Sequence, residues 1–418
     1  LKFNTDLSFA KKCDNADPLK SYRDRFLIPK NKDGSDVIYF AGNSLGLQPN
    51  TVRDNIEQEL SDWEKFAVEG HRLAKNPWLP YHEFLTEGTA KLVGAKSEEV
   101  VNMNSLTTNL HLLFVSFYRP TKTRYKILIE SNSFPSDHYA IQSQIKFHGY
   151  KVQDALIEMK PRAGEDKIRT EDIEELISLQ GDSIALIWFA GVNYYSGQAF
   201  EFKKITEAGH KKNICVGFDL AHATGNLELN LHDWGVDFAV WCNYKYMNGG
   251  PGAIGGAFVH EKHLNDNSLP KFLGWWGHDK ETRFLMDHKY IPIPTVESWQ
   301  LSNPPIFQLA ALKASLDIFD SAGMKALREK SEKMTAYMEF LLQEKVQREI
   351  EIITPTEKNE RGCQLSLRVR KDGKKLYKDL ISKGVICDWR EPDVIRVAPV
   401  PLYNTFEDIW RSVEILNL

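Results

Sequence analysis

The chain is 418 residues long, enough for more than one ordinary domain and a sizeable core. Charged residues make up 26% and the formal net charge is only −4, so no electrostatic footprint for nucleic acid is present. The longest apolar run, Ile184 to Val192, is too short to cross a bilayer, and Leu1 to Leu19 carries no signal-peptide core. Cys13, Cys215, Cys242, Cys363 and Cys387 are scattered without metal-ligand spacing, which fits a reduced, cytoplasmic setting. The histidines show no ligand pairing either, so no metal is expected.

In chain order, Leu7 to Phe26 reads as short helical material, and Val37 to Phe40 leads into a glycine-punctuated loop from Gly42 to Pro49. Val52, Ile56, Leu60, Trp63 and Phe66 recur at steps of four and three, which predicts an amphipathic helix ending near Gly70. His71 to Pro80 carries two prolines and reads as an ordered loop. From Val100 to Val259, strand-like runs at 100–103, 126–130, 155–158, 184–189, 214–219, 238–242 and 256–259 are separated mostly by helical or polar segments. That alternation predicts an α/β fold with a mainly parallel sheet of about seven strands, covered on both faces. After Pro304-Pro305, long helical patterns at 306–319 and 324–344 precede short strands at 350–353, 364–369, 385–387 and 394–397. The expected organisation is an N-terminal segment 1–50 packing on a small α+β domain 305–418, with a large domain 51–304 between them.

The chemistry concentrates between Gly217 and Gly256. Asp219 follows the apolar run Ile214-Cys215-Val216 and so sits at the carboxyl end of a buried strand, the edge where open α/β sheets bind ligands. Lys245 follows a second such run, Phe238 to Cys242, and enters a glycine-rich loop. A carboxylate and a lone lysine at neighbouring strand ends suit pyridoxal phosphate, the lysine as Schiff-base partner and the carboxylate opposite the pyridine nitrogen. An ion pair at a sheet edge is the plainer alternative. Asn104 to Asn109 lies between a strand and an apolar helix, where free backbone amides and hydroxyls can hold an anion or simply cap the helix. Phe134-Pro135-Ser136-Asp137 opens another helix in the same way. His222, three residues past Asp219, either covers the cofactor or is a structural turn histidine.

Several segments together resemble the kynureninase family. They are Tyr39 to Pro49, Phe134 to Tyr139, Asp219 to Ala223, Asn243 to Tyr246, Gly274-Trp275-Trp276-Gly277-His278, Ser302 to Pro305, and Arg396 to Asn404. They occur in order across nearly the whole chain. The resemblance implies a dimeric pyridoxal 5′-phosphate enzyme of fold type I, aspartate-aminotransferase-like, that hydrolyses L-kynurenine to anthranilate and L-alanine in tryptophan catabolism and NAD biosynthesis. By the same resemblance Lys245 would carry the cofactor and Asp219 would face its ring nitrogen, a pairing that lowers the aspartate's pKa. Leu106, Thr107, Phe134, Pro135, Ser136, Asp137, His222 and Tyr244 would complete the cofactor shell. Trp275 and Asn303 would arrive from the second subunit. Ser44, His71, Trp276 and Asn303 would line the substrate pocket, Arg396 would fork onto the α-carboxylate, and Tyr244 would relay protons. The polar pair His71 and Asn303 implies a preference for 3-hydroxykynurenine. Two positions depart from the family's usual pattern: Ala190, where a hydroxyl is common, and Trp276, where Phe is common. A cysteine desulfurase or aminotransferase of the same fold is the nearest rival. A desulfurase needs a mobile nucleophilic thiol, and Cys363 and Cys387 both border apolar strands.

Overall fold

Seven of the apolar runs assemble into one sheet. The computed structural model describes residues 2–266 and 268–417. The strands are β1 (Val100–Asn102), β2 (Lys126–Glu130), β3 (Leu156–Met159), β4 (Ile184–Ala190), β5 (Cys215–Asp219), β6 (Phe238–Cys242) and β7 (Gly255–Val259). They lie side by side in the order β1-β7-β6-β5-β4-β2-β3. Only β7 runs against the others, antiparallel to both β1 and β6. The remaining contacts in the sheet are parallel. The near-continuous Val/Ile/Leu/Phe content of the central strands is what burial on both faces requires. One core beneath the sheet gathers Ile187, Phe189, Phe218 and Trp241, and the other face gathers Leu186, Trp188, Phe238 and Val240. Alternate residues of the same strand thus enter opposite cores. β7 opens with glycines because the indole of Trp241 fills the space beside it: a Cβ at Gly256 would stand 2.2 Å from that ring.

One expectation shifts. The amphipathic helix forms as Val52–Phe66, but the acidic side is the buried one. Glu59 accepts hydrogen bonds from Asn76 Nδ2 (2.9 Å), Trp78 Nε1 (2.9 Å) and Tyr81 Oη (3.2 Å), which ties the 71–81 segment to the helix. Leu60 and Trp63, expected to face a core, are exposed on this chain. Polar capture of the following loop outweighs burial of the apolar stripe, which is left for another surface. After Pro304-Pro305 the chain continues as a long helix. Helix Ile306–Ala322 buries Leu309, Leu312, Leu316 and Phe319 against Tyr81, Leu85, Leu92 and Tyr246 of the large unit. The chain turns away at Gly323, where φ is +75° and a side chain would be strained.

Beyond that turn, helix Met324–Lys345 and helix Phe406–Leu416 cover a four-stranded antiparallel sheet. Its strands are β8 (Glu351–Ile352), β9 (Leu365–Arg368), β10 (Asp388–Arg390) and β11 (Val394–Val397), in the order β8-β9-β11-β10. Ala10, Ile38 and Phe40 of the N-terminal segment share this unit's core with Met334, Leu365 and Val397. The run at 385–387 splits: Val385–Ile386 pairs in parallel with Ile38–Tyr39, and the polar residues after it form β10.

Candidate active site

The carboxyl ends of β1, β2, β4, β5 and β6 open on one cavity. It is lined by Leu106, Thr107, Phe134, Ser136, Asp137, Ala190, Val192, Tyr194, Asp219, Ala221, His222, Tyr244 and Lys245. Nine of these are residues expected from the sequence. At one end two helices start side by side, Leu106–Phe117 after β1 and Pro135–Phe147 after β2. Thr107 Oγ1 lies 2.9 Å from Ser136 Oγ, so each helix contributes a hydroxyl. Two helix N-termini add their positive ends and unpaired N–H groups, the requirement for holding a phosphate. Pro135 occupies the first turn, where its missing N–H costs nothing, and lies outside the lining.

At the other end lies a buried carboxyl cluster. Asp219 Oδ1 accepts from the Ala221 N–H at 2.7 Å, and Asp137 Oδ2 accepts from Trp188 Nε1 at 3.1 Å. Burial first, and then the Asp219 charge, raise the Asp137 pKa. Burial raises Asp219 as well, against the pull of Lys245 and the Ala221 N–H. The expected lowering of the Asp219 pKa is therefore not a property of the protein groups alone, because desolvation outweighs the nearest cation. Glu130, at the end of β2, accepts from the Ala190 N–H at 3.2 Å, and burial pushes its pKa up to about 8. Glu130 was missed from the sequence, although it ends an apolar strand at the same edge as Asp219.

Lys245 lies between two rings, its Nζ 5.6 Å from the Phe134 centroid and 5.9 Å from that of Tyr244. Phe134 meets Tyr194 edge-on at 5.2 Å. Burial, the Cys242 thiol and Asp219 raise the Tyr244 pKa, so its phenol keeps its proton at neutral pH. His222 is held neutral by burial and by the Lys245 and Arg396 charges. Its Nδ1 is buried without a protein partner, as is Oδ1 of Asp137. Unpaired polar atoms, a lysine amine, an exposed aromatic face and a two-helix anion cradle fit pyridoxal phosphate.

The other expected residues lie elsewhere. Ser44 is exposed on the loop whose Gly46 N–H donates to the Tyr244 carbonyl at 2.8 Å. His71 Nδ1 bonds the Val68 carbonyl at 2.9 Å, with its ring edge-on to Trp78. Trp275 is half exposed, Asn303 is exposed, and Trp276 is buried with the Arg283 guanidinium 4.2 Å over its ring. None of these lines this chain's cavity. Arg396 is 1% exposed behind the wall. Its Nη1 donates to the Tyr194 carbonyl at 2.7 Å, and its Nε and Nη2 fork onto Asp388. The wall is braced further: Gln364, just before β9, and Ser366 of β9 donate to the carbonyls of Tyr194 and Tyr195.

Solved structures share this architecture. The apo cysteine desulfurase of Thermococcus onnurineus matches with a TM-score of 0.76 at 18% identity, covering 91% of this chain and 94% of that one. A C-DES mutant with glycine covalently linked to its PLP cofactor matches with a TM-score of 0.78 at 14% identity, over 95% and 99% of the two chains. At such identities the likeness is one of fold, and with the site it defines a pyridoxal phosphate enzyme of fold type I. Sequence relatives narrow the class. Kynureninase of Myxococcus xanthus is 56% identical over 99% of this chain and 97% of its own length. That of Koribacter versatilis is 56% identical over the same shares, and that of Flavobacterium psychrophilum 53% over 99% and 98%. The family described as kynureninase C-terminal domain matches residues 327–416. The chain belongs to the kynureninase family: it is an enzyme, a hydrolase, and its cofactor is pyridoxal 5′-phosphate.

Proposed function

We propose that the protein hydrolyses L-kynurenine and 3-hydroxy-L-kynurenine, preferring the hydroxylated form, to the corresponding anthranilate and L-alanine. The observation that carries this is the placement of Lys245 and Asp219 at adjacent strand ends, facing a two-helix phosphate cradle, in a chain of this family. When bound, pyridoxal phosphate supplies an aldehyde carbon and an electron-accepting ring. Thr107, Ser136 and the N–H groups around Leu106 hold its phosphate; Phe134 and His222 confine the ring, with Pro135 fixing the turn that presents Phe134. Asp219 would face the ring nitrogen, and Asp137 would share that duty. The Lys245 amine would take the proton of the substrate's α-carbon and return it there before alanine leaves. Water then adds to the γ-carbonyl of the substrate, and the Cβ–Cγ bond breaks. Tyr244, whose phenol stays protonated, delivers the proton the β-carbon needs. Arg396 binds the substrate's α-carboxylate.

The active unit on this reading is a homodimer with shared sites. Support comes from the exposed apolar residues of one chain: Leu60 and Trp63 on the second helix, and Phe272, Leu273, Trp275, Phe284, Leu285 and Met286 around the Trp-rich segment. Trp275 and Asn303 then serve the facing cavity, and Ser44, His71 and Trp276 line the substrate pocket. We also propose a segment 1–50, a large domain 51–304 and a small domain 305–418 whose first helix docks on the large one, and place the reaction in tryptophan catabolism and NAD biosynthesis in the cytoplasm. Among the described residues no helix is long and apolar enough to cross a membrane.

The test is chemical. Purified holoenzyme given kynurenine should change its cofactor absorbance and release anthranilate and alanine in equal amounts. Borohydride reduction followed by peptide mapping should leave the pyridoxyl group on Lys245. Transamination products without anthranilate, or a label on another lysine, would overturn the assignment.

A further inference from the structure

Asp388 stands directly opposite Arg396 in the β10–β11 hairpin, so the two side chains leave the sheet on the same face. Arg396 Nε donates to Asp388 Oδ1 at 2.7 Å, and Nη2 donates to Oδ2. Nη1 donates to the carbonyl of Tyr194, a residue of the cavity wall. A guanidinium has five N–H donors in one plane. Three are engaged, which leaves one on Nη1 and one on Nη2, enough for a two-point grip on a carboxylate. Arg390, two residues along the same strand, reaches Asp388 Oδ2 with its own Nη2 at 3.2 Å. The two arginines and one aspartate sum to a single positive charge, which one carboxylate balances.

We propose that Asp388 is a positioning residue for the substrate: it occupies the Nε edge of Arg396, aims the remaining donors at the α-carboxylate, and with Arg390 leaves the clamp one negative charge short. The inference rests on the reading of Arg396 as the carboxylate's partner. It goes further by stating why this arginine, 1% exposed and held on both sides, has a fixed orientation before substrate arrives. An arginine held only by its stem would lose rotamer freedom on binding; one already forked onto Asp388 has lost it on folding. Neither Asp388 nor Arg390 stands out in the sequence, because their strand is three polar or aromatic residues long and follows the apolar run that reads as the strand.

The experiment uses the holoenzyme and two readouts. Steady-state kinetics with kynurenine give KM and kcat separately, and the cofactor's absorbance reports equilibrium binding of L-alanine, which carries the same α-carboxylate without the aryl group. Asp388→Asn should raise KM and weaken L-alanine binding in parallel, each by roughly ten-fold or more, with kcat changing less than about three-fold. Asp388→Glu keeps the charge and shifts the fork, so it should fall between wild type and Asp388→Asn; it also carries the test if the Asn variant does not fold. Unchanged KM and unchanged L-alanine affinity in both variants would make Asp388 merely structural and overturn the proposal. Tighter binding in Asp388→Asn would overturn it too, by showing that Asp388 competes for the carboxylate's place. Arg396→Lys separates the two levels: if that variant keeps wild-type KM, the Arg396 assignment itself fails, whatever Asp388 does.

Discussion

Thr107 Oγ1 and Ser136 Oγ lie 2.9 Å apart, joining the first turns of two helices that follow different strands of the sheet. Each hydroxyl alone is an ordinary residue at a helix start. Together they bring two positive helix ends to one point. Removing both should weaken cofactor affinity more than the sum of single losses, because either remaining hydroxyl can still orient the phosphate. For the Thr107→Ala, Ser136→Ala double variant we expect a cofactor Kd raised by about 100-fold or more, from two lost charge-assisted bonds of roughly 1.5 kcal/mol each. Titration of the apoenzyme with pyridoxal phosphate measures it, and an unchanged Kd would place the phosphate elsewhere.

Glu130 makes a prediction about pH. Its pKa lies at about 8 in the folded chain, because burial disfavours the charged form, against an ordinary value of 4.5. Between those two values the folded state holds a proton that the unfolded state has released. Stability from this group is therefore full below about pH 4.5 and is lost as the pH rises through 8. Glu130→Gln keeps the shape and never ionises. Its melting temperature, measured on the holoenzyme, should approach or exceed that of wild type as the pH goes from 6 to 9. A difference that stays flat across that range would show the carboxyl to be ionised throughout.

Sharing of the active site is tested by mixing two inactive proteins. Lys245→Ala removes the amine from one cavity, and Asn303→Ala removes the exposed amide proposed to serve the facing one. A heterodimer contains one site with both defects and one with neither, so subunit exchange should restore activity towards half that of wild type. No recovery despite demonstrated exchange would assign Asn303 to its own chain's site or to neither.

On the proposed function, His71 and Asn303 set the substrate choice. A pocket built to bond a hydroxyl leaves polar groups unpaired when it is missing, at a cost of roughly 1–3 kcal/mol. Wild type should therefore show a higher kcat/KM for 3-hydroxykynurenine than for kynurenine, and His71→Leu with Asn303→Leu should erase the ratio. His71 already has one ring nitrogen on the Val68 carbonyl, so Nε2 is the atom free to face a ring. A ratio unmoved by the double change would leave His71 a loop residue only.

The chain's own residues determine a good deal by themselves. Strands rich in Val, Ile, Leu and Phe, spaced by helical periods, specify a doubly covered parallel sheet, and Asp219 and Lys245 are legible because their chemistry sits at the ends of such strands. Local pattern carries that much, since periodicity and residue type are properties of short windows. Which strand ends become neighbours is not. Glu130, Asp137 and Asp219 are 7 and 82 positions apart in turn, and only strand order packs them into one desolvated cluster where a carboxyl keeps its proton. The helix Val52–Phe66 turned its acidic side inward because three donors from one loop converge on Glu59, a long-range outcome that outweighs the apolar stripe. Arg396 was visible as an arginine ending an apolar strand; that Asp388 holds one edge of it while Tyr194 holds another was decided by a hairpin register and by the docking of two units. Sequence specifies the groups. Burial and geometry, which exist only once distant segments meet, set their charge states and directions.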